Sequence, residues 1–394
     1  MLITFNFYPE VGSAANRMKN IYQLLKQAGH SVTVLTCEPC YPNRNLYQDQ
    51  AFWNEDISED DIIRVKIKSR KYDSHIWRRL LFYAEASMRF ILSVFKLKKN
   101  FDIVFVSIPP LPTAFAGIYA KFRFKAKLIT DIRDLSADSL RGASVFRNRL
   151  IVGLANLIER TAIKKSHHVV VNSEGFIPAI LKYKSKQNFT YMPNALSENE
   201  LNYKKDRNRI DSNEIIVIYS GNIGLAQNVR KLVDVAEQLK NVPNISFEII
   251  GYGFRRQEIK ALISEKQLPN VKFHEAMNRH NTLKRVANAD IAFVSLSETK
   301  FLDSVLPGKI IDYLGMGIPV VADVSGYSQL IIEKANGGCI PSNRDILSVN
   351  QNIQALANNA DLRKQLGDNG YQFATQHFRW QTNITRLLSI LEET

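Results

Sequence analysis

The strongest constraint on this chain is a strand–helix alternation that runs once through the first half and then begins again. Short β-branched runs at Leu2–Phe7, Ser31–Thr36, Ile62–Ile67, Asp102–Ser107, Lys127–Asp131 and His168–Asn172 are separated by longer helical patterns. These patterns cover Asn16–Ala28, Ile76 to Lys98, a stretch from about Thr113, and Val145 to Lys164. After Tyr191-Met-Pro-Asn194 the pattern restarts with Ile215–Ser220, the helix Val229–Leu239, Ser246–Ile250, Val271–Phe273, Ile291–Ser295 and Pro319–Ala322. Alternation of this kind requires a parallel sheet with helices on both faces. The expected fold class is therefore α/β, with two Rossmann-like, doubly wound domains. The expected domains are residues 1–193 and 194–375. A further helical pattern, 376–394, follows the second sheet and can pack on either domain.

Composition narrows the chemistry. Three cysteines, Cys37, Cys40 and Cys339, are too few for a disulfide framework and point to a reducing compartment. Cys37 and Cys40 have the spacing of a redox or metal pair, yet no second pair or nearby histidine completes a site. Met1 to Phe7 reads as a strand rather than a secretion signal, and no run of 18 uninterrupted apolar residues exists to span a bilayer. A cytoplasmic location follows as the expectation.

The net charge of +14 is lopsided: residues 1–190 hold 29 Lys and Arg against 16 Asp and Glu, and the rest 23 against 22. The first half thus expects an anionic partner, nucleic acid or a lipid surface. The stretch from Ile76 to Lys99 combines Trp77, Phe82 and leucines with Arg78, Arg79, Arg89 and lysines, and Ala114 to Lys127 repeats the theme. An aromatic face beside a basic one suits a helix lying on anionic lipid. A core helix with snorkelling cations reads the same way. No helix-turn-helix, zinc or RNP pattern supports nucleic acid.

In open parallel sheets, ligands bind beyond the carboxyl ends of strands, where glycine turns bring backbone N–H groups and helix N-termini to phosphate. Three turns qualify: the one through Gly12, Gly221-Asn222-Ile223-Gly224, and Gly251-Tyr252-Gly253. None fits the dinucleotide fingerprint or the P-loop, which weighs against NAD enzymes and P-loop NTPases. The segment Asp303-Ser304-Val305-Leu306-Pro307-Gly308-Lys309, running on to Asp312, is the most telling. Pro307 and Gly308 suit a helix entrance, Lys309 stands one step inside, and Asp312 lies on the same helical face. That arrangement can hold a diphosphate and the ribose hydroxyls; it also reads as a capped helix with two solvated charges.

This segment resembles the donor-site signature of the GT-B glycosyltransferases of family 4. The resemblance runs in order through the Gly12 loop, Asp131-Ile-Arg-Asp134, Val171-Asn-Ser173, Met192-Pro-Asn194, Gly221–Gly224, Gly251–Gly253 and Ala289-Asp290. It implies two lobes facing across a cleft, an acceptor-binding first domain, a donor-binding second one, and a last helix that crosses back at Phe378-Arg-Trp380. The form Gly221-Asn-Ile-Gly-x-Ala-Gln227 is similar to a bacterial capsule and O-antigen subgroup that includes N-acetyl-fucosamine transferases.

By that resemblance the chain is a retaining, metal-independent transferase of a UDP-sugar, with no cofactor. Its acceptor would be an undecaprenyl-diphosphate-linked saccharide, reached from the inner face of the cell membrane. Lys309 would compensate the leaving diphosphate, with Arg255 or Arg256, and Asp134 would orient the acceptor or steady charge at the anomeric carbon. The donor would also meet Gly12, Gly221, Asn222, Gly224, Gln227, Gly251, Tyr252, Gly253, Ser304, Val305, Leu306, Gly308 and Asp312.

Departures are specific. Asn222 and Gln227 replace a basic pair; of two acids spaced eight apart, the first is lost at Ser304 or displaced to Asp303 and the second is shortened to Asp312; and no histidine follows Lys127–Asp131. A 6-deoxy sugar would not need that histidine. A sugar-nucleotide 2-epimerase of the same fold, or a non-catalytic binding protein, is the alternative.

Overall fold

A computed structural model describes residues 1–68, 76–135, 149–183, 188–204 and 214–393, with the backbone alone at 76–80 and 393. The chain divides into two compact units. One comprises Met1–Pro193 with Asn383–Thr394, and the other Asn194–Thr382.

The first unit holds seven strands: β1 (Leu2–Ile3), β2 (Val34–Cys37), β3 (Ile62–Val65), β4 (Ile103–Ile108), β5 (Lys127–Ile132), β6 (His168–Val171) and β7 (Phe189–Tyr191). They lie in the order β3-β2-β1-β4-β5-β6-β7, and every pairing is parallel. The order reverses between β1 and β4, which makes that junction the topological switch point. β1 is shorter than the apolar run Leu2–Phe7 suggests, because only Leu2 and Ile3 keep register with both neighbours. β7 is short and only partly buried, so it carries too little apolar signal to stand out in sequence.

Which face of the helix Ile76–Lys96 turns inward is decided by packing. Phe82, Ala86, Phe90 and Val94 recur every four residues and are all buried. Phe82 and Phe90 pack on Phe5, with ring centroids 5.6 and 6.2 Å away. Phe82 is therefore a core residue and not part of an outward aromatic face. Leu81, Met88, Leu92 and Phe95 form the opposite, exposed stripe of the same helix. The side chains of Trp77, Arg78 and Arg79 lie outside the described residues.

The second unit holds β8 (Ile215–Asn222), β9 (Ile245–Tyr252), β10 (Val271–His274), β11 (Ile291–Ser295), β12 (Val320–Asp323) and β13 (Gly338–Cys339). The order β10-β9-β8-β11-β12-β13 repeats the first sheet's plan, again all parallel. Its inner strands β9, β11 and β12 are buried on both faces, as continuous apolar runs demand, while the edge strands β10 and β13 are only partly covered. Two apolar layers result, one around Ile218, Val294 and Leu314, the other around Val217, Phe247 and Val233.

The pattern 376–394 is not one helix. Ala360–His377 ends at Phe378, and a new helix, Trp380–Glu393, begins two residues later. From Asn383 onward it belongs to the first unit: Asn383 Nδ2 donates to the Pro193 carbonyl at 2.7 Å and Arg386 to that of Tyr191 at 3.1 Å.

Candidate active site

In the second unit, β8 and β9 each run two residues beyond the apolar stretch that identifies them. Gly221 pairs with Gly251, and Asn222 with Tyr252, as their last strand positions. The two glycine turns thereby lie side by side at the carboxyl edge. Gly221 and Gly253 adopt φ of +120° and +121°, a region in which side chains with a Cβ are strained. A Cβ on Gly253 would also stand 2.2 Å from Asn222 Oδ1. Gln227 folds onto its own loop, accepting from the Gly224 N–H at 3.3 Å. The Arg255 N–H donates to the Ile223 carbonyl at 3.0 Å, while its guanidinium lies 3.7 Å from Glu258. Arg256 is tied to Glu275 at 2.6 Å.

Against this edge stands the helix Gly308–Gly315, whose N-cap is Pro307 with no capping side chain. Proline fits there because its fixed φ and missing N–H cost nothing ahead of a helix, and its carbonyl accepts from the Ile310 N–H at 3.1 Å. Lys309 reaches back over the Tyr219 ring, its ammonium 3.7 Å from the ring centroid. Its Cε and Nζ lie 3.5 Å from where a Gly221 Cβ would be. The ammonium is buried and has no hydrogen-bond partner among the described residues. Burial pushes it down to about 7, and the charge of Asp312 only partly opposes this.

Asp312 is not a solitary acceptor. Arg279 forks onto it, with donors 2.9 and 3.3 Å from its two oxygens, and bonds Glu200 through Nε. Burial opposes charge on Arg279, but Asp312 and Glu200 raise its pKa well above the ordinary arginine value. Sequence reasoning missed this pair. Ser304 donates to the Phe301 carbonyl at 2.9 Å, the Val305 carbonyl accepts from Ser328 at 2.6 Å, and Leu306 is buried. Asp303 accepts from Ser325 at 2.6 Å.

In the first unit, Gly12 is the N-cap of the helix Ser13–Gln27 with φ +134°. Arg17, one turn further, is fully buried against Asp131, with bonds of 2.7, 3.1 and 3.2 Å, and donates to Pro193 O at 3.1 Å. Ser107 donates to Asp131 at 3.0 Å and accepts from Arg133 at 2.7 Å. Asp134 follows β5 and is half-buried; its charge bears on Arg133, whose pKa burial lowers.

Two family descriptions span most of the chain. Residues 12–195 match the glycosyl transferase 4-like domain and residues 202–373 match glycosyl transferases group 1. The chain is a family 4-like glycosyltransferase of the GT-B fold. Among its relatives is WcaI of Escherichia coli strain K12, named as a glycosyl transferase of colanic acid biosynthesis. It is 23% identical over 342 residues, which are 82% of this chain and 83% of WcaI. Sucrose-phosphate synthase from Thermosynechococcus elongatus is similar in structure at TM-score 0.75 and 16% identity, covering 100% of this glycosyltransferase and 98% of that chain. Anabaena HepE, solved with UDP and glucose, follows at TM-score 0.70 and 14% identity, covering 100% and 99%.

Proposed function

We propose that this glycosyltransferase moves a sugar from UDP onto a lipid-linked saccharide during bacterial surface polysaccharide assembly. The observation that carries the reading is the Lys309 ammonium, buried without a hydrogen-bond partner among the described residues and set at a helix N-terminus that no side chain caps. Such a charge is costly until an anion reaches it. A nucleotide diphosphate meets that need, and backbone N–H groups at the glycine turns and the helix entrance add to it. HepE, solved with UDP, and WcaI, named for a surface polysaccharide, support the donor and the pathway class.

In the reaction the bond between the anomeric carbon and the diphosphate oxygen breaks. The acceptor hydroxyl oxygen forms the new glycosidic bond, and its proton passes to the departing phosphate. Lys309 stabilises the charge that develops on that phosphate, a role that needs no metal. The configuration at the anomeric carbon is retained. Asp134 orients the acceptor. The sugar is an N-acetylated 6-deoxyhexosamine, a reading supported by the Gly221–Gln227 form and by the missing histidine after β5.

The first unit docks on the anionic inner face of the membrane. Support comes from the stripe Leu81, Met88, Leu92 and Phe95, from exposed Phe115 and Phe122 on the helix Leu111–Phe124, and from the exposed cations Lys96, Lys98 and Arg123. Leu92→Glu is expected to cut partitioning onto anionic vesicles several-fold while leaving UDP affinity unchanged; an unaltered partition rules that surface out.

The donor reading is tested by calorimetric titration of the wild type and Lys309→Ala with UDP, GDP and ADP. UDP is expected to bind best, and the variant to lose about 1.5–3 kcal/mol, the scale of a charge-assisted hydrogen bond. Failure of all three nucleotides to bind the wild type removes the donor assignment.

A further inference from the structure

Arg279 stands where a helix disfavours a cation. It is the first residue of Arg279–Ala287, at the positive end of the helix dipole. Two carboxylates from remote segments hold it there, Glu200 on Nε and Asp312 on the fork. Glu200 is itself fixed, since its other oxygen accepts from the Ser197 N–H at 2.8 Å in a capping box. Asp312 meanwhile lies three residues after Lys309 on one helical face, a spacing at which opposite charges ordinarily pair. Here they form no hydrogen bond: both Asp312 oxygens are engaged by Arg279, and the Lys309 ammonium has no hydrogen-bond partner among the described residues.

We propose that Arg279 is a positioning residue that holds Asp312 away from Lys309, so that the ammonium stays available to the donor diphosphate. This rests on the assignment of Lys309 to that diphosphate. Without the fork, Asp312 would be a half-buried carboxylate with the Lys309 ammonium one turn back on its own helix. An ion pair inside the protein would form, and the incoming phosphate would have to displace a carboxylate.

Of the other charged groups on the elements packed against this helix, Asp361 and Lys284 are exposed to solvent, Arg285 pairs with Glu248, and the nearer acids are engaged. Asp323 at the end of β12 is paired with Lys231 and Arg344, and Asp368 on Ala360–His377 with Lys204 and Lys364. Glu200 is engaged by Arg279 and Ser197, and β8 contributes the Tyr219 ring.

The test is the affinity of UDP and of inorganic pyrophosphate, measured by calorimetry from pH 6 to 9. Pyrophosphate has no ribose for Asp312 to hold, so it reports on Lys309 alone. Wild type, Arg279→Gln, Asp312→Asn and the double variant are compared, and the ligand's own titration cancels in their ratios. Arg279→Gln is expected to bind pyrophosphate about tenfold more weakly. Its affinity should also lose the wild type's decline above pH 7, because Asp312 now holds the ammonium charged. Adding Asp312→Asn is expected to restore both. Asp312→Asn alone, which keeps Glu200 on Arg279, is expected to bind pyrophosphate no more weakly than the wild type.

If Arg279→Gln keeps the wild-type pH slope, or if Asp312→Asn fails to rescue it, Arg279 merely ties three segments together and the proposal falls. Should Arg279→Gln not fold, a marked loss of pyrophosphate affinity in Asp312→Asn alone overturns it as well. Wild-type protein that binds neither ligand overturns the donor assignment together with this proposal. Binding without the predicted variant pattern overturns this proposal alone.

Discussion

Each sheet keeps a buried cation near the carboxyl edge of its central strands, and the two are treated in opposite ways. Arg17 is saturated: three bonds reach Asp131 and a fourth the Pro193 carbonyl. The Lys309 ammonium is buried over an aromatic face, with no hydrogen-bond partner among the described residues. A saturated buried charge has its desolvation cost offset within the protein and holds segments in place. An unsaturated one leaves that cost outstanding until a ligand arrives. On the proposed donor assignment, that difference separates a structural cation from a binding one.

The largest effect that would break the contrast is on stability. Arg17→Met should leave the Asp131 carboxylate buried and unpaired, destabilising the protein by about 3–5 kcal/mol in denaturant titration. A loss below about 1 kcal/mol would mean that solvent reaches the pair and that the two cations are alike. Lys309→Met should do the reverse, leaving stability unchanged or raising it, since it deletes an uncompensated charge. A clear loss of stability there would show that Lys309 supports the fold as Arg17 does.

The smallest effect is the sharpest. The folded-state pKa of Lys309 is lowered to about 7 from 10.5, so between those values the unfolded chain binds more protons and stability rises with pH. Below pH 7 the cost of the buried charge is fully present. The advantage of Lys309→Met over the wild type should therefore be greatest below pH 7 and shrink as pH climbs toward 10.5. A gap that does not change with pH would mean the ammonium is solvated.

The plan of both sheets was legible because alternation and glycine turns are local signals, and Pro307-Gly308 announces a helix entrance without help from elsewhere. What escaped is non-local. Arg279 meets Asp312 across 33 residues and Glu200 across 79, and nothing in the pattern around Arg279 marks it among the chain's many cations. Phe82 was misplaced for a different reason. The helix Ile76–Lys96 is apolar around most of its circumference, so periodicity alone does not say which stripe meets the sheet. Only the position of Phe5 decides it. The strand ends were placed two residues early at β8 and β9 because glycine reads as punctuation, whereas here it continues the ladder.

The bonds from Asn383 and Arg386 to the carbonyls of Pro193 and Tyr191 bear on the order in which the protein is made. A ribosome releases residues 1–193 first, yet the helix that completes their packing emerges only after the whole second unit. The earlier unit must wait, unfinished, while the later one folds, and it closes only when residues 383–393 arrive. Chimeras that exchange the second unit at residue 194 alone would therefore sever the first unit from its own final helix. A viable exchange needs two junctions, near 193 and near 383.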